Sequence, residues 1–345
     1  MSHLLVLNPG LLTTLQDLGR YGYEDRGVPP SGALDELSFA LANALVGNRA
    51  GTGALEFTLL GGQFRVGPGG CVIAVTGDLE VFIDDQPVAA YQCHVLRSGA
   101  LLRIGRALSG ARGYLAVGGG FLAEPVLGSV STLMRAGLGG FAGRAVAKGD
   151  LLALAAPSQC LPLAARAPAQ RLLPQREQRP LRVVLGPQQG HFSAVEIQRF
   201  LTQTFVVSGQ SDRMGYRLGG PVLSHLKGFN IVSDAISTGS VQVPGSGQPI
   251  IALHDRQTTG GYPKIATVIR ADLARLGQLK PGDSLTFAKV TVEEAEQLWC
   301  ARHALLSRYL DELAARYSPR GRCVPEGAGN AHAGGSSSAQ AAAVR

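Results

Sequence analysis

Leu34, Leu37, Leu41 and Leu45 recur three and four residues apart behind Ser31-Gly32, which predicts an amphipathic helix with one face on a core. Gly47-Asn48 supplies its left-handed stop. Over residues 51–154 the pattern shifts to short β-rich runs. Val72-Ile73-Ala74-Val75 and Glu80-Val81-Phe82-Ile83 are examples, separated by Gly-Asp, Asp-Asp and Ser-Gly pairs that read as hairpin turns. Residues 157–180, rich in Pro, Ala and Arg, break the pattern and read as an interdomain linker, followed at once by an apolar strand over 181–185. The capping box Ser193-x-x-Glu196 predicts a second helix, and strands are expected around 204–208, 239–243 and 250–253. A last helix starts at Thr291 with Glu294 completing its box, and Val292, Ala295, Leu298, Trp299, Leu305, Leu306, Tyr309 and Leu313 mark its apolar side.

The fold class expected is mainly β with a few helices. An N-terminal β-rich domain spans 1–156, a linker 157–180, a second β domain 181–290, a helix 291–317 and a low-complexity, disordered tail 318–345. A chain of 345 residues with 45% apolar and only 17% charged residues buries a sizeable core. Gly 46 and Pro 19 argue for many short strands and against a helical bundle.

Of the net charge of +7, residues 166–182 carry +4 and residues 318–345 carry +2. Both stretches are expected to be exposed and cut first by trypsin. The body is then nearly neutral, with no basic groove for nucleic acid. The five cysteines, odd in number and never in a C-x-x-C pair, support neither zinc nor a disulfide framework, so no metal is expected. No signal peptide or membrane span is legible, which leads to the expectation of a cytoplasmic protein.

Two echoes suggest related halves: Val28-Pro29-Pro30-Ser31-Gly32 with Val243-Pro244-Gly245-Ser246-Gly247, and Lys148-Gly149-Asp150-x-Leu152 with Lys280-Pro281-Gly282-Asp283-x-Leu285. The plainer reading is common turn chemistry.

The richest chemistry follows the apolar run 250–253. His254 precedes Asp255, a carboxylate for an N–H or a proton, while Arg256 and Lys264 are cations for a carboxylate or phosphate. Gln257, Thr258, Thr259 and Tyr262 add neutral polar groups, and Gly260-Gly261 permits close backbone approach. A polar hairpin loop with a surface ion pair is the bland alternative. Asp212-Arg213, with Tyr216 beyond it, repeats the Asp-Arg dipeptide, and Asp25-Arg26 repeats it again. Near the N-terminus Gln16, Asp17, Arg20 and Tyr23 share the vocabulary of the Asp255 loop, with a structural turn as their plainer reading. If duplicated halves face one another, Arg20, Asp255, Arg256 and Lys264 share a cleft with Arg213 nearby. There is no G-x-x-x-x-G-K-[ST] phosphate loop and no G-x-S-x-G elbow.

The stretches LTTLQDLGRYGYEDRGVPPSGALD, LANALVGN, LEFTLLGG, SDRMGYRLGGP, SDAISTGSVQVPGSGQPI and DRQTTGGYPKIATVIRADLARLGQLKPGD resemble the allophanate hydrolase subunit 2, or biotin-dependent carboxyltransferase-like, family. The resemblance implies two cyclophilin-like β-barrel domains. The family includes a carboxyltransferase segment of urea carboxylase, a stand-alone antagonist of a sporulation kinase inhibitor, and a subunit of bacterial ATP-dependent 5-oxoprolinase. The stand-alone length favours the last: a hydrolase that works with A-like and B-like partner subunits and ATP to open the lactam of 5-oxoproline to L-glutamate. On that reading Arg256 takes the substrate carboxylate, Asp255 accepts the ring N–H, and Lys264 faces a phosphoryl group, with the other loop residues binding substrate. The alternatives are carboxyl transfer to a urea-like substrate and a non-catalytic regulatory protein that binds a B-like, kinase-inhibitor-like partner. His254 stands where a small or apolar residue is expected, and Gly186-Pro187-Gln188 keeps the start of a further family motif.

Overall fold

The computed structural model describes residues 2–156 and 179–316. The tail expected over 318–345 and most of the linker lie outside the described residues. Four α-helices, α1 (Glu36–Leu45), α2 (Ala194–Thr202), α3 (Arg270–Gly277) and α4 (Val292–Arg316), accompany two large antiparallel-dominated sheets. The fold is thus mainly β, as its composition predicts.

The first sheet holds nine strands, all within residues 3–153. Its backbone is the 17-residue strand Leu101–Val117, which pairs with Ala54–Thr58, with Gln63–Val66 and along most of Cys71–Ile83. Cys71–Ile83 corrects one expectation. Gly77-Asp78 is not a turn between two strands but an irregularity inside one bent strand, where the register against Leu101–Val117 shifts at Thr76/Asp78. An added Cβ at Gly77, at φ +99°, would lie 2.7 Å from the Arg112 carbonyl oxygen, so the close approach of the two strands requires glycine there. Asp84-Asp85, both at positive φ, is a true hairpin turn.

The second sheet has eight strands, all within residues 181–289. Its hydrogen-bonded order starts at Ser284–Leu285 and ends at Phe287–Lys289, so the two ends of the order are one stretch of chain interrupted only at Thr286. The sheet therefore curls back on itself into a barrel around Phe200, Phe205, Val241, Ile251, Ile265 and Phe287. Arg182 departs from the exposed stretch expected of it. It lies in the strand Leu181–Leu185 and grips the fully buried Asp272 of α3 through its backbone N–H at 2.9 Å and its Nε at 3.1 Å.

One echo is a shared piece of geometry between the halves. Asp150 accepts from Ala147 N–H at 2.8 Å and Asp283 from Lys280 N–H at 3.1 Å, with Gly149 and Gly282 at φ 91° and 90°. Each turn then bonds to a neighbouring strand: Gly149 and Asp150 to Val6 within His3–Asn8, Gly282 and Asp283 to Val207 at the end of Phe205–Val207.

Helix α1 starts at Glu36, two residues after the first leucine of its pattern, because Asp35 caps it, accepting from Leu37 and Ser38 N–H at 3.1 Å each. Leu34 points into the second barrel's core while Leu37 and Leu41 pack with Tyr309 and Leu313 of α4. Helix α4 thus lies on elements of both halves, and its predicted Thr291–Glu294 capping box is formed in both directions, at 2.8 and 3.1 Å. Helix α3 is not legible in the sequence, since its Arg-rich face masks the apolar period. Among the described residues no helix is long and apolar enough to cross a membrane.

Candidate functional site

The segment 254–264 leaves the strand Ile250–Ala252 and returns as Lys264–Val268, and its polar residues are divided among three bonded clusters. The innermost centres on Arg213. Its Nε donates to Asp255 Oδ2 at 2.9 Å, its Nη2 to Asp255 Oδ1 at 3.2 Å and to the Gly32 carbonyl at 2.7 Å, and its Nη1 to Glu56. Glu56 in turn accepts from Tyr114 Oη at 2.7 Å and Leu34 N–H at 2.9 Å, with Arg112 Nε at 3.9 Å. Burial alone pushes the Glu56 carboxyl up, but Arg213, Arg112 and the two hydrogen bonds hold it below its ordinary value. Burial likewise lowers Arg213, yet Asp255 and Glu56 raise it well above the usual guanidinium range. All charged side chains of this cluster are buried.

The second cluster holds Arg256. Its Nε donates to the Ile236 carbonyl at 2.8 Å, its Nη1 to Thr238 Oγ1 at 2.9 Å, and its Nη2 pairs with Glu24. Glu24 belongs to the one-turn helix Glu24–Arg26 that follows Tyr23, whose carbonyl accepts from Arg26 and Val28 N–H. The N-terminal segment is bonded again to this loop where Ser31 N–H donates to the His254 carbonyl at 3.1 Å.

In the third cluster Lys264 Nζ donates to Asp234 Oδ2 at 2.7 Å, and Gln188 Nε2 donates to the same oxygen at 3.1 Å while its Oε1 accepts from Lys264 N–H at 3.2 Å. Those hydrogen bonds, Lys264 first, hold Asp234 below its ordinary value. Thr259 and Gly260 form a two-residue ladder with Ala235 and Asp234, and Thr258 accepts from Ile236 N–H. Gln257 and Tyr262 are exposed, and Gly261 accepts from Ile231 N–H.

The structure therefore brings Arg213 and Asp255 together, and sets Arg256 and Lys264 in separate ion pairs. Three residues of the N-terminal motif turn inward on their own half. Gln16 is fully buried between Thr14, the Thr132 carbonyl and Gly32 N–H. Asp17 accepts from Ser129 Oγ at 2.6 Å and Val130 N–H at 2.8 Å. Arg20 donates to the carbonyls of Ser131 and Val126, close enough to Asp17 and Asp255 to feel both charges. Its side chain thus bonds to the 126–131 loop and lies near Asp255, while Glu24, Ser31 and Gly32 make the bonds that join the N-terminal segment to the second half. Tyr216 is a core residue: it pairs with Ile251 in the sheet and donates its hydroxyl to the Leu279 carbonyl at 2.9 Å.

Apart from Gln188 in its Gly186-Pro187-Gln188 motif, the sequence does not single out the partner residues Glu24, Glu56 and Asp234. Glu56 carries one signal, as a lone carboxylate in the apolar strand ALEFT. A triphosphate needs several free cations or a run of free N–H groups, whereas Arg213, Arg256 and Lys264 are each already paired with a carboxylate. The loop by itself does not fit ATP.

Comparison with known proteins agrees with this architecture. The chain is 37% identical over 315 residues to the C subunit of 5-oxoprolinase from Escherichia coli (strain K12), covering 91% of this chain and 98% of that relative. It is 40% identical over 289 residues to the corresponding C subunit of 5-oxoprolinase from Haemophilus influenzae, covering 83% and 90%. Its fold matches the crystal structure of the K. lactis urea amidolyase with a TM-score of 0.83 at 32% identity, over 89% of this chain but only 20% of that much longer one. Residues 26–289 match the family described as carboxyltransferase domain, subdomain A and B, and the chain belongs to that family.

Proposed function

We propose that this protein is the C subunit of an ATP-dependent 5-oxoprolinase, acting with A-like and B-like partner subunits to open the lactam of 5-oxoproline to L-glutamate. The observation that carries this reading is its similarity, over 91% and 83% of its length, to two bacterial subunits of that name, with 98% of the Escherichia coli relative covered. ATP belongs to the complex, and no step through it is assigned to this chain.

The loop chemistry supports a substrate-handling role. In both outer clusters the cation is buried and its acid is at the surface: Arg256 is 5% exposed against 43% for Glu24, and Lys264 4% against 48% for Asp234. An incoming carboxylate or carbonyl oxygen can take the place of a half-exposed acid on a prepositioned cation, with little desolvation left to overcome. Asp255, closed off by Arg213, is a positioning group rather than the acceptor of the ring N–H. The test is reconstitution with the two partner proteins, measuring 5-oxoproline-dependent release of glutamate and ADP. A complete complex that releases neither overturns the reading.

The match to urea amidolyase favours one second reading, carboxyl transfer to a urea-like acceptor. It requires turnover dependent on bicarbonate and a biotinylated carrier. A protein that binds its partner but never shows either turnover is a binding protein without chemistry of its own.

A further inference from the structure

The loop's cations are held in close ion pairs, whereas Arg270 and Arg302 form none within 4.0 Å among the described residues. Between α1, α3 and α4 lies a cavity of about 40 Å³ whose wall includes Glu36, His254, Arg270, Trp299, Arg302 and His303. His254 is only 6% exposed, and its Nδ1 is buried with no hydrogen-bond partner among the described residues. A buried ring nitrogen left unsatisfied is costly, and such an orphan on a cavity wall signals a missing occupant. The Arg270 guanidinium stacks 4.2 Å over the Trp299 ring, and Arg302 spends Nη1 on the Ala271 carbonyl at 2.8 Å. Neither forms an ion pair within 4.0 Å among the described residues. His254, on the cavity wall, is the chain neighbour of Asp255.

We propose that this cavity is a subsite for a carboxylate group, held by the Arg270 and Arg302 guanidinium groups and by His254 Nδ1, with the Trp299 ring as its wall. A cavity of about 40 Å³ exceeds what a single water needs and has room for a small polar group such as a carboxylate. Only the ligand's identity rests on the 5-oxoprolinase reading, in which substrate and product are both carboxylates. The site itself stands on the cavity, the orphan nitrogen and two arginines that form no ion pair within 4.0 Å among the described residues.

Glu36 is the acid on the wall. It faces Asp35 at the start of α1, Arg270 on α3 and Arg302 and His303 on α4, and Tyr21 lies close enough to feel its charge. Burial pushes the Glu36 carboxyl up against the opposing pull of Arg270. Once protonated, it donates a hydrogen bond to the bound carboxylate instead of repelling it, so binding tightens on acidification.

The chain has one tryptophan, so its fluorescence reports on the wall of this cavity. The full chain is titrated with acetate and with 5-oxoproline, using chloride at equal ionic strength as the control. A saturable change in Trp299 emission is expected with acetate. Arg270→Gln weakens it about tenfold or more, and Glu36→Gln tightens it several-fold at neutral pH. These opposite signs separate binding from misfolding. The proposal fails if acetate gives no saturable change beyond the chloride control, or if Arg270→Gln and Glu36→Gln both leave the midpoint unmoved. Acetate binding without 5-oxoproline turnover in the reconstituted complex sinks the oxoprolinase reading and keeps the subsite; turnover without a fluorescence response does the reverse.

Discussion

Glu24 and Arg256, 232 positions apart in the chain, form an ion pair that fastens the N-terminal segment onto the loop of the second barrel. The pair is asymmetric, with a buried guanidinium whose own bonds to Ile236 and Thr238 fix it and a carboxylate that reaches in from a one-turn helix. Glu24→Gln keeps the shape and removes the charge. Amide exchange across residues 20–33 is expected to rise about tenfold, corresponding to roughly 1.4 kcal/mol of lost local stability, with strand Leu101–Val117 unchanged. Hydrogen-exchange mass spectrometry measures both. An equal rise in the two regions means the pair supports global stability instead.

Arg213 is the one cation shared by carboxylates from both halves, Glu56 and Asp255, among the described residues. Removing one partner leaves buried charge uncompensated, so Glu56→Gln and Arg213→Met are each expected to destabilise the protein by about 3–5 kcal/mol in urea denaturation. The double variant is expected to lose far less than the sum, because the second change removes a charge the first has stranded. Additive losses count against a coupled network.

The elements are legible where one period or one cap dominates. The leucines of α1, the Thr291–Glu294 box of α4 and the strand Leu181–Leu185 all stand where the pattern predicts. What the sequence hides is how pairs divide up. Asp255 and Arg256 are neighbours in sequence, yet one faces Arg213 and the other Glu24, because adjacent side chains point apart and each partner arrives from a distant segment. Arg20 resembles a ligand cation by its glycine-rich context; two backbone carbonyls of its own half take its Nε and Nη2, while its Nη1 is buried without a hydrogen-bond partner among the described residues. Composition shows that a loop is polar; only tertiary contact shows which of its charges are already satisfied.

Gly186 sits where the start of the Gly186-Pro187-Gln188 motif passes under Lys264. An added Cβ there would stand 2.2 Å from the Lys264 carbonyl oxygen and 3.1 Å from Ala266 N, both backbone atoms that cannot swing aside. Gly186→Ala is therefore expected to cost about 1–3 kcal/mol by overpacking. It also displaces Gln188 from Asp234 and Lys264, so activity in the reconstituted complex falls even in the folded fraction. Gly190→Ala, where an added Cβ meets nothing within 4 Å, serves as the control and is expected to be silent.

His254 gives the fold a pH dependence whose sign follows from its burial. Burial, then the nearby Arg213, pushes its imidazole down from 6.5 to about 4. In that window the unfolded chain binds a proton that the folded chain refuses, so its contribution is fully present above about pH 6.5 and is lost as pH falls towards about 4. A shift of this size corresponds to roughly 3 kcal/mol. Glu36 and Asp35, raised by burial, act in the opposite sense, and Glu56 and Asp272, held below their ordinary values, lose their contribution at still lower pH. The difference between wild type and His254→Gln isolates the imidazole from all four. Urea denaturation between pH 7 and pH 4 is expected to show wild type losing its advantage over the variant, or falling below it, by about 3 kcal/mol across the range. Parallel curves mean that the imidazole takes up its proton equally in the folded and unfolded chain, so that burial does not shift it; wild type gaining on the variant as pH falls means the folded state holds the proton more tightly.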